Sequence, residues 1–121
     1  MNTTIKTTGI SLTPSLEQYT RYKLAKLLKF IGGDKEGSLI EVELAKTTDH
    51  HKHGEIYRSE LNLQIPGQEL MRAEATDYDL YVSIVIARDE LIRQIKGTQD
   101  KKQTVFRKSA RRLKDSLRFW K

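Results

Sequence analysis

At 121 residues, 37% hydrophobic and 31% charged, the chain has the size and composition of one globular domain with a short appendage. No apolar run could span a bilayer, no charged-then-apolar leader opens it, and the absence of cysteine excludes disulfides, a thiolate zinc site and a cysteine nucleophile, so a cytoplasmic protein is expected. The net charge of +6 is uneven: residues 1–97 hold 13 Lys and Arg against 14 Asp and Glu, whereas residues 98–121 hold nine against two, which points to a polyanionic partner, nucleic acid or an acidic membrane.

Residues 4–8, TIKTT, are β-branched and alternating, and predict a short strand. A helix follows, with Thr13 as N-cap, Pro14 in the first turn and Gly32-Gly33 as the stop. Its apolar stripe is Leu16, Thr20, Leu24, Leu27, Leu28 and Ile31. SLIEVELAKT and EIYRSELNLQI alternate apolar and polar residues and predict two half-buried strands of an antiparallel sheet. Between them lies DHHKHGE, expected as a hairpin loop. Pro66-Gly67 fits a type II turn into a further strand over about 69–76. Asp77 is placed to cap a second helix, 78 to about 96, with Leu80, Ile84, Ala87, Leu91 and Ile95 inward and Gly97 weakening or ending it. Residues 98–104 read as a linker, and 105–121 as a basic amphipathic tail, helical when bound. The order β-α-β-β-β-α predicts an α+β domain over 1–97, a four-stranded sheet with both helices on one face.

On the first helix Tyr19, Tyr22, Lys23, Lys26 and Lys29 share one arc beside the apolar stripe. Lysine neutralises phosphate and tyrosine offers a stacking ring, which suits RNA; a plain solvated face is the competing reading. The second helix places Arg88, Arg93 and Lys96 beside or away from its core stripe, mixed with Asp89 and Glu90, and exposes Val82 and Ile86. In the tail, Arg107, Arg111, Lys114, Arg118 and Lys121 oppose Phe106, Leu113, Leu117 and Trp120, with Lys101 and Lys102 just upstream. Such a tail suits RNA, an anionic membrane or the body of the same protein.

All three histidines, His50, His51 and His53, lie in four consecutive positions around Lys52. With Glu55 and Asp49 nearby they could bind zinc or nickel weakly, but no second ligand cluster exists in the chain and no nucleophile or pocket motif accompanies them. A solvated turn or a phosphate-facing loop that charges at mildly acidic pH is the expected role, with no metal and no catalytic residue.

The stretches LTPSLEQY, KLAKLLKF, VELAKTTDHHKHGEIYRSELNLQIPG, LMRAEATDYDLYVSI and DELIRQI, in this order over about residues 5–97, resemble the ribosome hibernation-promoting factors, also called ribosome-associated inhibitor or sigma-54 modulation proteins, in their short form. The resemblance implies a fold similar to double-stranded-RNA-binding domains. It also implies binding to the small ribosomal subunit near the decoding centre, blocked translation and preservation of idle ribosomes under stress. Lys23, Lys26, Lys29 and Arg93 carry over by motif position, and Lys96 is offset from the family's usual basic site. Two departures bear on the second helix: Tyr81-Val82-Ser83-Ile84-Val85 lacks the family's acid, and Asp89-Glu90-Leu91 has an acid where a lysine is usual.

The expectation is therefore a non-enzymatic translation inhibitor that occupies the tRNA/mRNA channel of the small subunit. Its partner is rRNA, with no cofactor, small-molecule substrate or membrane, and it is monomeric off the ribosome. The alternative from another class is a peripheral membrane or protein-scaffold module acting through the tail.

Overall fold

The computed structural model describes residues 1–32, 35–47 and 54–118, with side chains as far as residue 99. Its elements are β1 (Asn2–Thr8), α1 (Pro14–Leu24), a 3-10 segment (Ala25–Lys29), β2 (Leu39–Lys46), β3 (Tyr57–Gln64), β4 (Met71–Asp77) and α2 (Leu80–Arg118). The strands form one sheet in the order β1-β2-β3-β4. β2, β3 and β4 run antiparallel as their alternation predicts, but β1 is parallel to β2, so the sheet is mixed. The helical crossover between β1 and β2 permits this pairing, which a tight hairpin cannot make.

One face of the sheet is apolar. Ile40, Val42 and Leu44 of β2, Leu61 and Leu63 of β3, and Met71, Ala73 and Ala75 of β4 pack in one core with Leu16, Leu24, Leu27 and Ile31, and with Leu80, Ile84, Ala87, Leu91 and Ile95 of α2. Both helices therefore cover the same face. A buried polar link pins α2 to the sheet: the Ser59 and Ser83 hydroxyls lie 2.7 Å apart, and Ser83 Oγ also donates to the Leu80 carbonyl oxygen at 2.7 Å.

The opposite face is charged. Glu60 and Glu74 sit directly across from each other, a repulsive pairing in isolation. Arg58 pairs with both of them, and Arg72 bridges Glu60 at 3.1 Å and Glu74 at 3.4 Å. Two acids and two arginines thus alternate in a closed square, which turns the repulsion into attraction.

Turn chemistry follows the sequence with one shift. Gly67 has φ 78°, and the Gln68 amide donates to the Ile65 carbonyl oxygen at 3.0 Å, as a type II turn at Pro66-Gly67 requires. Thr13 caps α1, its Oγ1 accepting from the Leu16 amide at 3.2 Å. At α2 the cap is Asp79, not Asp77: Asp79 Oδ1 accepts from the Tyr81 amide at 2.9 Å, while Asp77 Oδ1 accepts from the Asp79 amide. Asp77 is still paired with Tyr57 in the sheet, so two more residues are needed to turn the chain.

The break expected at Gly97, the linker over 98–104 and the separate third helix are replaced by one continuous helix to Arg118. Gly97 is not among the glycines with positive φ, so it makes no left-handed stop, and a helical glycine costs only about 1 kcal/mol relative to alanine. Beyond it, Thr98 Oγ1 donates to the Gln94 carbonyl oxygen, and Gln99 Nε2 donates to the Phe30 carbonyl oxygen at 2.8 Å. That anchor sits beside Gly32, where an added Cβ would lie 3.3 Å from Gln99 Nε2.

Candidate nucleic-acid interface

The first helix buries Leu16, Thr20 and Leu24, and the following turn buries Leu27. This fixes which side chains face outward. The chain tightens into a 3-10 segment at Ala25, so residues three apart fall into register, and Lys26 and Lys29 stand in one row. Lys23 extends the row by the same spacing. Its Nζ lies 5.5 Å from the Tyr19 ring centroid and 5.8 Å from that of Tyr22. None of the three lysines has a carboxylate partner among the described residues.

An open groove lined by Tyr22, Lys23, Ala25, Lys26, Lys29 and Arg88 lies between this segment and α2. Arg88 is not free to reach a ligand. It is 8% exposed; its Nη1 donates to the Lys23 carbonyl oxygen at 3.4 Å, and its Nε and Nη2 donate to Asp89 Oδ1 at 3.1 and 2.9 Å. The expected RNA contact is instead a strut that ties α2 to the end of α1. Its buried charge is balanced by Asp89, as burial requires.

Arg93 is exposed but occupied. Its Nε and Nη2 fork onto Glu90 Oε2 and Oε1 at 2.9 and 2.5 Å. The bond from Arg93 holds Glu90 below the usual carboxylate range, and the same bond raises Arg93. The pair therefore survives mild acidification and opens only as pH falls through the lowered Glu90 pKa. Lys96 lies over Phe30, its Nζ 4.9 Å from the ring centroid, next to the end of the lysine row. Among the described residues the unpaired positive face is thus the α1 side, with Lys96 at its margin. Glu90→Gln is expected to release Arg93, tighten RNA binding and steepen its log–log salt dependence by about one unit. A binding titration at several salt concentrations measures this; an unchanged slope would show that Arg93 does not face the ligand.

The tyrosines divide. Tyr22 projects into solvent, whereas Tyr19 is half-buried, its ring T-shaped against Tyr81 at 4.6 Å between centroids and 86° between planes. Tyr19 Oη donates to the Tyr81 carbonyl oxygen at 3.4 Å. Tyr81 and its exposed neighbour Tyr78 were not among the expected site residues. Their Tyr-x-x-Tyr spacing at the helix entry is the signal that could have found them.

His50, His51, Lys52 and His53 lie outside the described residues. Beside them, Glu55 is engaged: it pairs with Lys46 and accepts from Tyr57 Oη at 2.9 Å. The Lys46 hydrogen bond, then that of Tyr57, lowers its pKa. Among the described residues no group of three or more His, Cys, Asp or Glu is placed to hold a metal, and no helix is long and apolar enough to cross a membrane. The side chains of Lys101, Lys102, Arg107, Arg111, Lys114 and Arg118 also lie outside the description; their backbone is helical.

A family model described as sigma 54 modulation protein / S30EA ribosomal protein matches residues 3–103. The Protein Y N-terminal domain of Thermus thermophilus is similar in structure, with a TM-score of 0.66 and 28% identity over 81% of this chain and 99% of that one. A ribosomal subunit interface protein from Coxiella burnetii shares the fold with a TM-score of 0.66 and 18% identity, over 83% of this chain and 99% of its own. No curated protein sequence matches the chain.

Proposed function

Because the chain belongs to the sigma 54 modulation protein / S30EA ribosomal protein family, which is non-enzymatic and ribosome-binding, we propose that it inhibits translation by occupying the tRNA/mRNA channel of the small ribosomal subunit. The row of Lys23, Lys26 and Lys29, free of carboxylates among the described residues and flanked by exposed Tyr22, carries the reading. A channel built to hold RNA presents phosphate and splayed bases, and this face offers cations and a ring. The charged square of Arg58, Glu60, Arg72 and Glu74 on the opposite sheet face is internally neutralised, so it gives RNA little to hold. Docking through the helix side follows. The nine Lys and Arg of residues 98–121 add sequence-independent attraction to rRNA. The protein acts in the cytoplasm, as a monomer until it meets the ribosome, and preserves idle ribosomes under stress.

Co-sedimentation with separated subunits tests this. The purified chain should pellet with small subunits and not with large ones, be displaced by tRNA, and be released steeply as salt rises. Equal pelleting with both subunits, or indifference to tRNA, would refute occupancy of the channel.

A further inference from the structure

Among the described residues, three of the six large apolar side chains left exposed are tyrosines, Tyr22 at 75%, Tyr78 at 63% and Tyr81 at 42%. Their placement is not scattered. Lys23 Nζ stands between the Tyr22 and Tyr19 rings, and Tyr19 packs edge-to-face on Tyr81. Tyr81 and Tyr78 in turn line one open depression at the start of α2. The rings therefore continue the lysine row from α1 across to α2.

We propose that this Tyr22–Tyr19–Tyr81–Tyr78 ridge is a stacking surface for unpaired RNA bases, so that the site takes single-stranded or looped rRNA in preference to duplex. The inference deepens the reading of this face as an RNA face and rests on it. Duplex RNA hides its base faces and offers a tyrosine ring only phosphate, ribose and groove edges. A cation row alone would serve for that. Exposed rings beside the cations serve a strand whose bases are splayed, because every base has a π-face while its phosphates remain within reach of lysine. The T-shaped contact fixes Tyr19 and Tyr81 before any ligand arrives, which lowers the ordering cost of stacking. A protein segment would also fit apolar rings. Lys23, set against two of the rings and without a carboxylate partner among the described residues, gives the Tyr22–Tyr19 end of the ridge its charge complementarity to a polyanion, and favours RNA.

The test uses the full chain and two fluorescein-labelled RNAs with equal phosphate numbers, a single-stranded oligouridylate and a perfect hairpin duplex, followed by fluorescence anisotropy. The single strand should bind about tenfold tighter. Tyr22→Ser, at a position exposed enough to leave folding intact, should weaken the single strand about fivefold or more, as expected from losing one stacked base. It should leave the duplex and the salt slope unchanged. Tyr22→Phe should bind like the parent, since stacking needs the ring and not the hydroxyl. Tyr78→Ser should repeat the pattern. Equal binding of strand and duplex, or a Phe variant as weak as Ser, would overturn the proposal. So would variants that bind both RNAs normally yet lose the ribosome, an outcome that would assign the ridge to a ribosomal protein. Co-sedimentation of the parent chain with small subunits is scored separately: its failure removes the ribosomal reading while leaving a measured strand preference standing.

Discussion

Replacing Lys23, Lys26 and Lys29 together with glutamate is expected to abolish co-sedimentation with small ribosomal subunits while leaving the melting temperature near that of the parent chain. On the proposed reading, each substitution removes a cation placed to meet phosphate and installs an anion that repels it. Three such contacts account for a salt slope of roughly three, so the loss is far larger than any single-site effect and grows as salt is lowered. Folding is spared because the row faces outward: the burial that holds this segment comes from Leu24, Leu27 and Ile31, none of which changes. No described carboxylate pairs with these lysines, so no ion pair among the described residues is broken. Alanine at each position singly should reduce the slope by about one and weaken binding in part. Full co-sedimentation by the glutamate variant at low salt would mean that another surface holds the ribosome.

Most of the scaffold was legible because burial imposes periodicity. The stripe Leu80, Ile84, Ala87, Leu91, Ile95 is buried, and the alternation of β2 and β3 matches the faces those strands present. What was not legible depends on hydrogen-bond pattern or on distant partners. The apolar spacing Leu24, Leu27, Leu28, Ile31 fits an α-helix and a 3-10 turn equally well, so the tightening that aligns Lys26 with Lys29 left no mark in the pattern. Arg88 reads as a surface cation until its partner, a carbonyl oxygen 65 residues earlier, is seen. Glu90 and Arg93 stand three apart on a helix, a spacing that permits a pair without requiring one. The ridge of tyrosines joins residue 19 to residue 81 through tertiary packing, and no local rule connects them.

The same geometry predicts a second large effect with the opposite signature. Leu24 closes α1 between Lys23 and Lys26 and is fully buried. Leu24→Ala removes a packed isobutyl group where the helix hands over to the 3-10 turn, with Leu27 and Ile31 packing in the same core. Substitutions of this kind cost about 2–5 kcal/mol, a large part of the roughly 5–15 kcal/mol that holds a domain of this size together. At about 4–8 °C per kcal/mol the melting temperature should fall by on the order of ten degrees or more. Every cation is still present, so below the new melting point the variant should keep the parent's salt slope, and its binding should fail only as the folded population does. The lysine variant behaves in reverse, with the melting temperature kept and the slope lost. A Leu24→Ala protein that melts like the parent would contradict its place in the core. One that stays folded yet loses slope would show that the register of the lysine row, beyond its presence, is set by what Leu24 packs against.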